Sequence, residues 1–340
     1  MEKQFNGVAD MPDLHGKVVV VTGGSSGIGF VVVKRLAQKG AKVYFTTRTE
    51  SKAKATKEAL VHDPSIRPDN IDWLVMDFMD PTTVSHAVDV LKTKETKVDI
   101  LINNAAVSVG ATELVAGGYE QHMVGKLSHM GPFLLVNRML PLLKNATRDK
   151  DADVRIISFS STAQTSMLPS NFNFQFAHKS GLTEPVTQWP WAWRYVGRFM
   201  FGFDMIRYAV SKAAVVLFIK ELQRRLDEQG VPILCMAVHP GEVATETLLE
   251  INSPPLRAIA RMSFLTAEQG ALPPLFAATA SEVRKNATKY KGQFIMPIGK
   301  IGTPNPVAND DRQVKGLWDV TTIEVNKQLA ALGLPVLQAW

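Results

Sequence analysis

Two sets of residues have types and spacings that can do chemistry. Tyr208 and Lys212 stand four apart in a stretch of helical pattern, so both side chains share one helix face. A lysine ammonium beside a phenol favours the phenolate and lowers its pKa toward the operating range. Such a pair can give a proton to a carbonyl oxygen or take one from an alcohol. The second set is the turn Thr22-Gly23-Gly24-Ser25-Ser26-Gly27-Ile28-Gly29, which lies between a β-branched run and a helical pattern. Glycine spacing by itself says little; between a strand and a helix it lets backbone approach a pyrophosphate at an open helix N-terminus. Gly23, Ser25, Ser26, Gly27, Ile28 and Gly29 are therefore expected to hold a nicotinamide dinucleotide.

The elements that must position these residues alternate along the chain. Lys17 to Val21 reads as a buried strand, and Gly27 to Lys39 as a helix ending at Gly40. Strands follow at Ala41 to Thr46 and Ile71 to Met76, with helices at Ser51 to Leu60 and Pro81 to Lys92. Asp99 to Asn103 is a fourth strand, Tyr119 to Leu143 a long helical stretch, and Val154 to Phe159 a fifth strand. Tyr208 to Gln229 is a helix stopped by Gly230, and Pro232 to Val238 a sixth strand. Phe294 to Pro297 reads as a late edge strand. Strands that alternate with helices imply a parallel sheet covered on both faces, because parallel neighbours need crossovers. The expected fold class is α/β, a Rossmann-type doubly wound parallel sheet in one domain spanning residues 1–340. To it are added an N-terminal extension (1–16), an aromatic-rich insert before the tyrosine (163–206) and a substrate-side C-terminal segment (246–340).

The second strand ends at Thr46-Thr47-Arg48. An acidic residue there would hold the ribose hydroxyls of NAD, whereas arginine suits the 2′-phosphate of NADP. Arg48 makes NADP(H) the expected cofactor.

With these features the chain resembles the short-chain dehydrogenase/reductase family, in its longer retinol-dehydrogenase-like and carbonyl-reductase-like branches. Asp77, followed by Phe78, matches the family's adenine-contacting aspartate; Asn103-Asn104-Ala105-Ala106 resembles its N-N-A-G segment. Ser160-Ser161 resembles the serine motif, Tyr208 to Lys212 the Y-x-x-x-K signature, and Pro240-Gly241 with Val243 and Thr245 the P-G-x-x-x-T turn. The resemblance runs from about Lys17 to Thr245. It implies that Ser161 orients the substrate oxygen, Tyr208 exchanges its proton, and Lys212 also reaches the nicotinamide ribose. It further implies cofactor contacts from Asn104, Ala105, Pro240, Gly241, Val243 and Thr245. His239 is assigned to the cofactor-side turn and not to catalysis.

Two departures stand out. Family members carry an asparagine on the helix after N-N-A-G, proposed to support a proton relay. Here Gly125, Lys126 or Ser128 occupies that place. The interval between Ser161 and Tyr208 is also long, and holds Phe172, Phe174, Phe176, Trp189, Trp191, Trp193, Tyr195, Phe199, Phe201 and Phe203. These aromatics are expected as a substrate lid or pocket wall, with local packing, an oligomer contact or peripheral membrane contact as alternatives. Leu248, Leu249, Ile251, Leu256, Ile259 and Met262 are expected to complete an apolar pocket, Thr266 to open a late helix, and Leu317-Trp318 to anchor a final one.

The bulk properties exclude little that conflicts with this. Of 340 residues, 46% are hydrophobic and 21% charged, ordinary for a chain with a sizeable core. The net charge is +6, with no basic run interleaved with aromatics, so no nucleic-acid partner is expected. Cys235, the single cysteine, sits in an apolar run and reads as a buried thiol. The histidines lack ligand spacing, so no metal is expected. Neither a leader nor a membrane span is apparent, which makes a cytoplasmic location the default and the sequons at Asn145 and Asn286 chance matches. The expected activity is reduction of a ketone or aldehyde on a bulky apolar small molecule, or the reverse oxidation, in specialised metabolism, by a monomer or homodimer. An epimerase or dehydratase that keeps its NADP(H), and an NADP(H)-binding sensor or scaffold with impaired catalysis, are the alternatives.

Overall fold

The computed structural model describes residues 5–105, 114–115, 119–120, 129–168, 172–183, 205–243 and 264–340. The main sheet is built from β1 (Val18–Val21), β2 (Lys42–Thr47), β3 (Ile71–Val75), β4 (Ile100–Asn103), β5 (Val154–Phe159), β6 (Ile233–Val238), β7 (Phe294–Met296) and β8 (Lys300–Ile301). Its order is β8-β7-β6-β5-β4-β1-β2-β3. All neighbours are parallel except β8, which returns antiparallel along β7. β7 is thus an inner strand, and the edge expected at Phe294 to Pro297 belongs to Lys300–Ile301.

Apart from the exposed edge strand β8, the sheet is apolar on both sides because each strand feeds two cores. Val18 and Val20 of β1 join one cluster, Val19 and Val21 the other; Cys235 and Ala237 of β6 likewise oppose Met236 and Val238. One side is covered by α1 (Gly27–Gln38), α2 (Glu50–Val61) and α7 (Ala267–Thr279). The other carries α3 (Pro81–Lys94), α4 (Met130–Ala146) and α6 (Met205–Glu228). Helix starts follow sequence chemistry. Asp80 caps α3 ahead of Pro81, and Thr266 forms a reciprocal capping box with Gln269 on α7. α1 stops at Gly40, whose φ of 89° suits glycine.

The long helix expected from Tyr119 begins only at Met130. Tyr119–Glu120 instead pairs antiparallel with Leu114–Val115. Aromatic and β-branched residue types such as Tyr119 and Val115 suit a paired ladder as well as a helix.

The final helix α8 (Asp311–Ala331) packs against α6, and the chain end then runs back over α4. The Arg138 guanidinium donates to the carbonyls of Val336 and Pro335, while Asn137 exchanges hydrogen bonds with Gln338. These bonds seat Trp340 against Phe133 and Trp318, at centroid distances of 4.6 and 4.4 Å. Trp318 also stacks on Phe218 and carries the Arg225 guanidinium 4.6 Å from its ring. Among the described residues no helix is long and apolar enough to cross a membrane.

Trp318 is buried where α4, α6, α8 and the chain end meet. Trp318→Ala is expected to lower the unfolding free energy by about 3–5 kcal/mol in urea titrations, whereas exposed Ile323→Ala should stay within about 0.5 kcal/mol.

Candidate active site

The sheet order reverses between β1 and β4, and the crevice outside their carboxyl ends is where a doubly wound fold receives a ligand. The glycine turn forms one wall. Gly23 has a φ of 65°, and a Cβ there would lie 2.9 Å from the Ala105 backbone. A Cβ on Gly29 would lie 2.3 Å from the Gly23 carbonyl oxygen and 2.5 Å from the Asn104 amide nitrogen. Only glycine fits at Gly29, because the Asn104 side chain occupies the space and donates to the carbonyls of Thr22 (2.7 Å) and Gly23 (3.2 Å). Thr22 Oγ1 in turn accepts the Ala105 N–H at 2.9 Å. Asn104 and Ala105 therefore lock the turn to the end of β4.

Helix α1 opens directly from this turn. Ser26, at its N-cap, makes no side-chain cap, so the first-turn N–H groups are left to a ligand. The open helix end, the close backbone approach and the partly buried Ser25 and Ser26 fit a pyrophosphate. Thr46 Oγ1 accepts the Gly23 N–H at 3.2 Å, tying the end of β2 to the turn. Arg48 follows two residues later, exposed and with no hydrogen bond or ion pair to another described residue. After β3, Asp77 caps the Met79 N–H at 3.0 Å, and the Phe78 ring packs where a Cβ on Gly131 would fall.

The reacting side chains come from β5 and α6. The residues after β5 are Ser160, which donates to the Lys212 carbonyl at 2.8 Å, and Ser161, whose hydroxyl is hydrogen-bonded to Tyr208. Ser161 Oγ also accepts the Ala163 N–H at 3.2 Å, opening a short helix, α5 (Ala163–Ser166). Lys212 Nζ donates to the Phe159 carbonyl at 3.0 Å and lies over the Tyr208 ring, 5.5 Å from its centroid. Serine, tyrosine and lysine thus meet at the carboxyl end of the central strands, beside the glycine turn.

The electrostatics differ from the sequence expectation. Burial dominates at Tyr208 and holds the phenol above its ordinary range; the Ser161 hydrogen bond pulls the other way, and the charge of Glu242 adds to the rise. Burial also brings Lys212 down to about 8. The lysine therefore does not acidify the tyrosine: its hydrogen bond goes to a backbone carbonyl, and the shared low-dielectric setting penalises both charged forms. A phenol kept protonated is a proton donor at neutral pH.

A family profile described as short chain dehydrogenase matches residues 17–183. A short chain dehydrogenase/reductase of Colletotrichum higginsianum is 36% identical over 333 residues, covering 96% of this chain and 80% of its own length. The chain belongs to the short-chain dehydrogenase/reductase family. Two solved structures share the fold. The NADP active-site complex of RhlG from Pseudomonas aeruginosa is 21% identical with a TM-score of 0.60, covering 84% of this chain and 96% of its own. The NADPH-bound carbonyl reductase from chicken fatty liver is 20% identical with a TM-score of 0.56, covering 85% and 100%.

Within this short-chain dehydrogenase/reductase the turn after β6 completes the crevice. His239 is fixed by its N–H to the Ile295 carbonyl at 2.9 Å, followed by Pro240 and by Gly241, whose φ is 92°. Val243 bridges to Leu265 beside α7. Thr245 lies outside the described residues, as do Gly125, Lys126, Ser128, the insert aromatics from Trp189 to Phe203, and the apolar candidates from Leu248 to Met262. The described insert aromatics serve two purposes. Phe174 and Phe176 are buried core rings, while Phe172 and Phe174 line a cavity of about 470 Å³ with Thr165, Leu168, Pro306 and Val307. Thr165 sits on α5, one helical turn from Ser161. Sequence reasoning passed over Thr162 and Glu242, which are joined at this site (Oγ1 to Oε1, 3.3 Å); the only signal was an acidic residue inside the P-G-x-V turn.

Because the space over Gly29 is filled by backbone and by Asn104, Gly29→Ala should weaken NADPH binding by about tenfold or more in a fluorescence titration. Unchanged affinity would remove the turn from the cofactor site.

Proposed function

We propose that this chain is an NADP(H)-dependent reductase of a ketone or aldehyde carried on a bulky apolar small molecule, able also to oxidise the corresponding alcohol. The observation that carries it is the meeting of Ser161, Tyr208 and Lys212, from separate elements, next to a glycine turn that accommodates a pyrophosphate. When bound, the reduced nicotinamide supplies a hydride for the carbonyl carbon. Ser161 and Tyr208 orient the carbonyl oxygen through two hydroxyl donors, and Tyr208 gives its proton as negative charge develops there. Lys212, charged below about pH 8, anchors the ribose and steadies the phenolate left behind. Arg48 supplies a cation for the 2′-phosphate, in keeping with the NADP and NADPH held by RhlG and by the chicken carbonyl reductase. The cavity beside α5, where Phe172, Phe174, Leu168 and Val307 face Asn305, Asp310 and Gln313, offers room for a substrate with both apolar and polar parts.

Two measurements test this. With NADPH and a panel of apolar carbonyls, Tyr208→Phe should lose turnover by about 10²-fold or more while NADPH affinity changes little. Binding of NADPH without turnover on a broad panel would count for a sensor, and product without cofactor consumption for a non-redox enzyme. Arg48→Asp should raise the KM for NADPH by about tenfold or more with little change for NADH. Equal effects on both would remove Arg48 from the phosphate site.

A further inference from the structure

We propose that the contact between Gly316 of α8 and Ala177 of the insert fixes the width of the cavity beside α5, and so limits the bulk of the carbonyl substrate; this rests on the reductase activity proposed above. The cavity, of about 470 Å³, is of a size that receives a small molecule. Its walls come from three places. Thr165 and Leu168 follow Ser161 closely in the chain, Phe172 and Phe174 belong to the insert segment 172–183, and Val307 and Gln313 lie where the chain leads into α8.

The first and third walls are tied to the elements that carry the reacting residues. The Asn305 backbone N–H donates to Gln164 Oε1 at 3.2 Å and its side-chain amide to the Gln164 carbonyl at 2.8 Å, which joins α5 to the turn Pro306–Asn309. Lys220, on the helix of Tyr208, donates to the Ala308 carbonyl at 2.5 Å. The insert wall takes its spacing from α8. Gln313, Gly316, Val320 and Glu324 are three or four apart and share one helix face. On that face Gln313 lines the cavity, Gly316 lies against Ala177, and Glu324 Oε2 pairs with Lys179 Nζ at 3.3 Å. Phe174, Ala177 and Lys179 meet the face in the same order, so the two segments run side by side away from the cavity.

The fit at Gly316 leaves no slack. A Cβ there would lie 2.5 Å from both the Cα and the Cβ of Ala177. The Cα belongs to the backbone, so no side-chain rotation relieves the clash and one segment must move. Of the two, α8 is held more firmly. Asp310 caps it by accepting the N–H groups of Arg312 and Gln313 at 2.9 and 3.3 Å. Trp318, just beyond Gly316, is buried among Phe133, Phe218 and Trp340. Alanine also suits a helix interior better than glycine does, so α8 gains by the change and the insert gives way. Phe172 and Phe174 then move away from Val307 and Gln313, and the cavity admits a wider molecule. Glycine is unfavourable inside a helix, and its place at 316 answers to this close approach. Gly316 and Ala177 act through the cavity walls and touch no reacting atom.

The test uses the full-length protein, NADPH and cyclic ketones of rising bulk: cyclohexanone, decalone and a steroid ketone. Gly316→Ala should raise kcat/KM for the steroid ketone relative to cyclohexanone by about tenfold, through KM and not kcat. Adding Ala177→Gly to Gly316→Ala should return part of that shift, since it removes one of the two clashing atoms. Lys179→Ala, which leaves α8 intact, should move the ratio the same way by about twofold. NADPH affinity should stay within about twofold of wild type throughout. An unmoved ratio in Gly316→Ala, or a loss equal for every ketone, overturns the proposal; should that variant fail to fold, an unmoved ratio in Lys179→Ala does so. Calorimetric binding of cyclohexanone and the steroid ketone without NADPH gives a readout that needs no turnover. If the wild type reduces none of the ketones while their affinities still reorder in Gly316→Ala, the reductase activity falls and the control of width stands. Turnover in the wild type with affinities that do not reorder sinks the control of width alone.

Discussion

The amide of Asn104 is the contact on which the rest of the site depends. Its two hydrogen bonds, to the carbonyls of Thr22 and Gly23, join the ends of β4 and β1 at the point where the sheet order reverses. Opening this crevice leaves backbone carbonyls unpaired, and Asn104 satisfies them while filling the space above Gly29. The turn is thereby held in the one shape that leaves the first N–H groups of α1 pointing outward. Glycine is demanded at Gly29 by an asparagine 75 positions away along the chain.

The reacting residues rely on a second tie of the same kind. Ser160 donates to the Lys212 carbonyl and Lys212 donates back to the Phe159 carbonyl, so the end of β5 and the middle of α6 clasp each other. The clasp sets Ser161 against Tyr208 and lays the ammonium over the phenol ring. Its cost is desolvation, seen in the lowered range of Lys212 and the raised range of Tyr208. That cost gives a phenol poised to donate. The exposed carboxylate of Glu242 is tied to Thr162, next to Ser161, and lies 3.5 Å from the enclosed imidazole of His239.

How much of this was legible in the sequence depended on the range of the signal. Alternating β-branched runs and amphipathic stretches, with Gly40, Pro81, Thr266 and Gly230 as stops and starts, placed most strands and helices within a few residues. Where two local signals competed, periodicity misled. Tyr119 and Glu120 fit a helical pattern, but they pair with Leu114 and Val115, and periodicity along one segment does not reveal a partner strand. At Phe294 the run was a strand as expected, yet its neighbour Lys300–Ile301 took the edge, because edge position is a property of the whole sheet. Glu242 was passed over because a carboxylate in a turn looks like a solvated surface charge until its neighbours are known.

The sequence by itself determined the fold class, the glycine turn, the Tyr208–Lys212 pair and the cation at Arg48, since each is written in local spacing or residue type. Only the tertiary structure decided how those residues act. It brought Ser161 to Tyr208 across a long insert, placed the Asn104 amide in the space over Gly29, and joined Glu242 to Thr162 next to Ser161. It also reversed the expected shift at Tyr208, because desolvation depends on everything packed around a group, whereas a neighbour four residues away is only one charge among several.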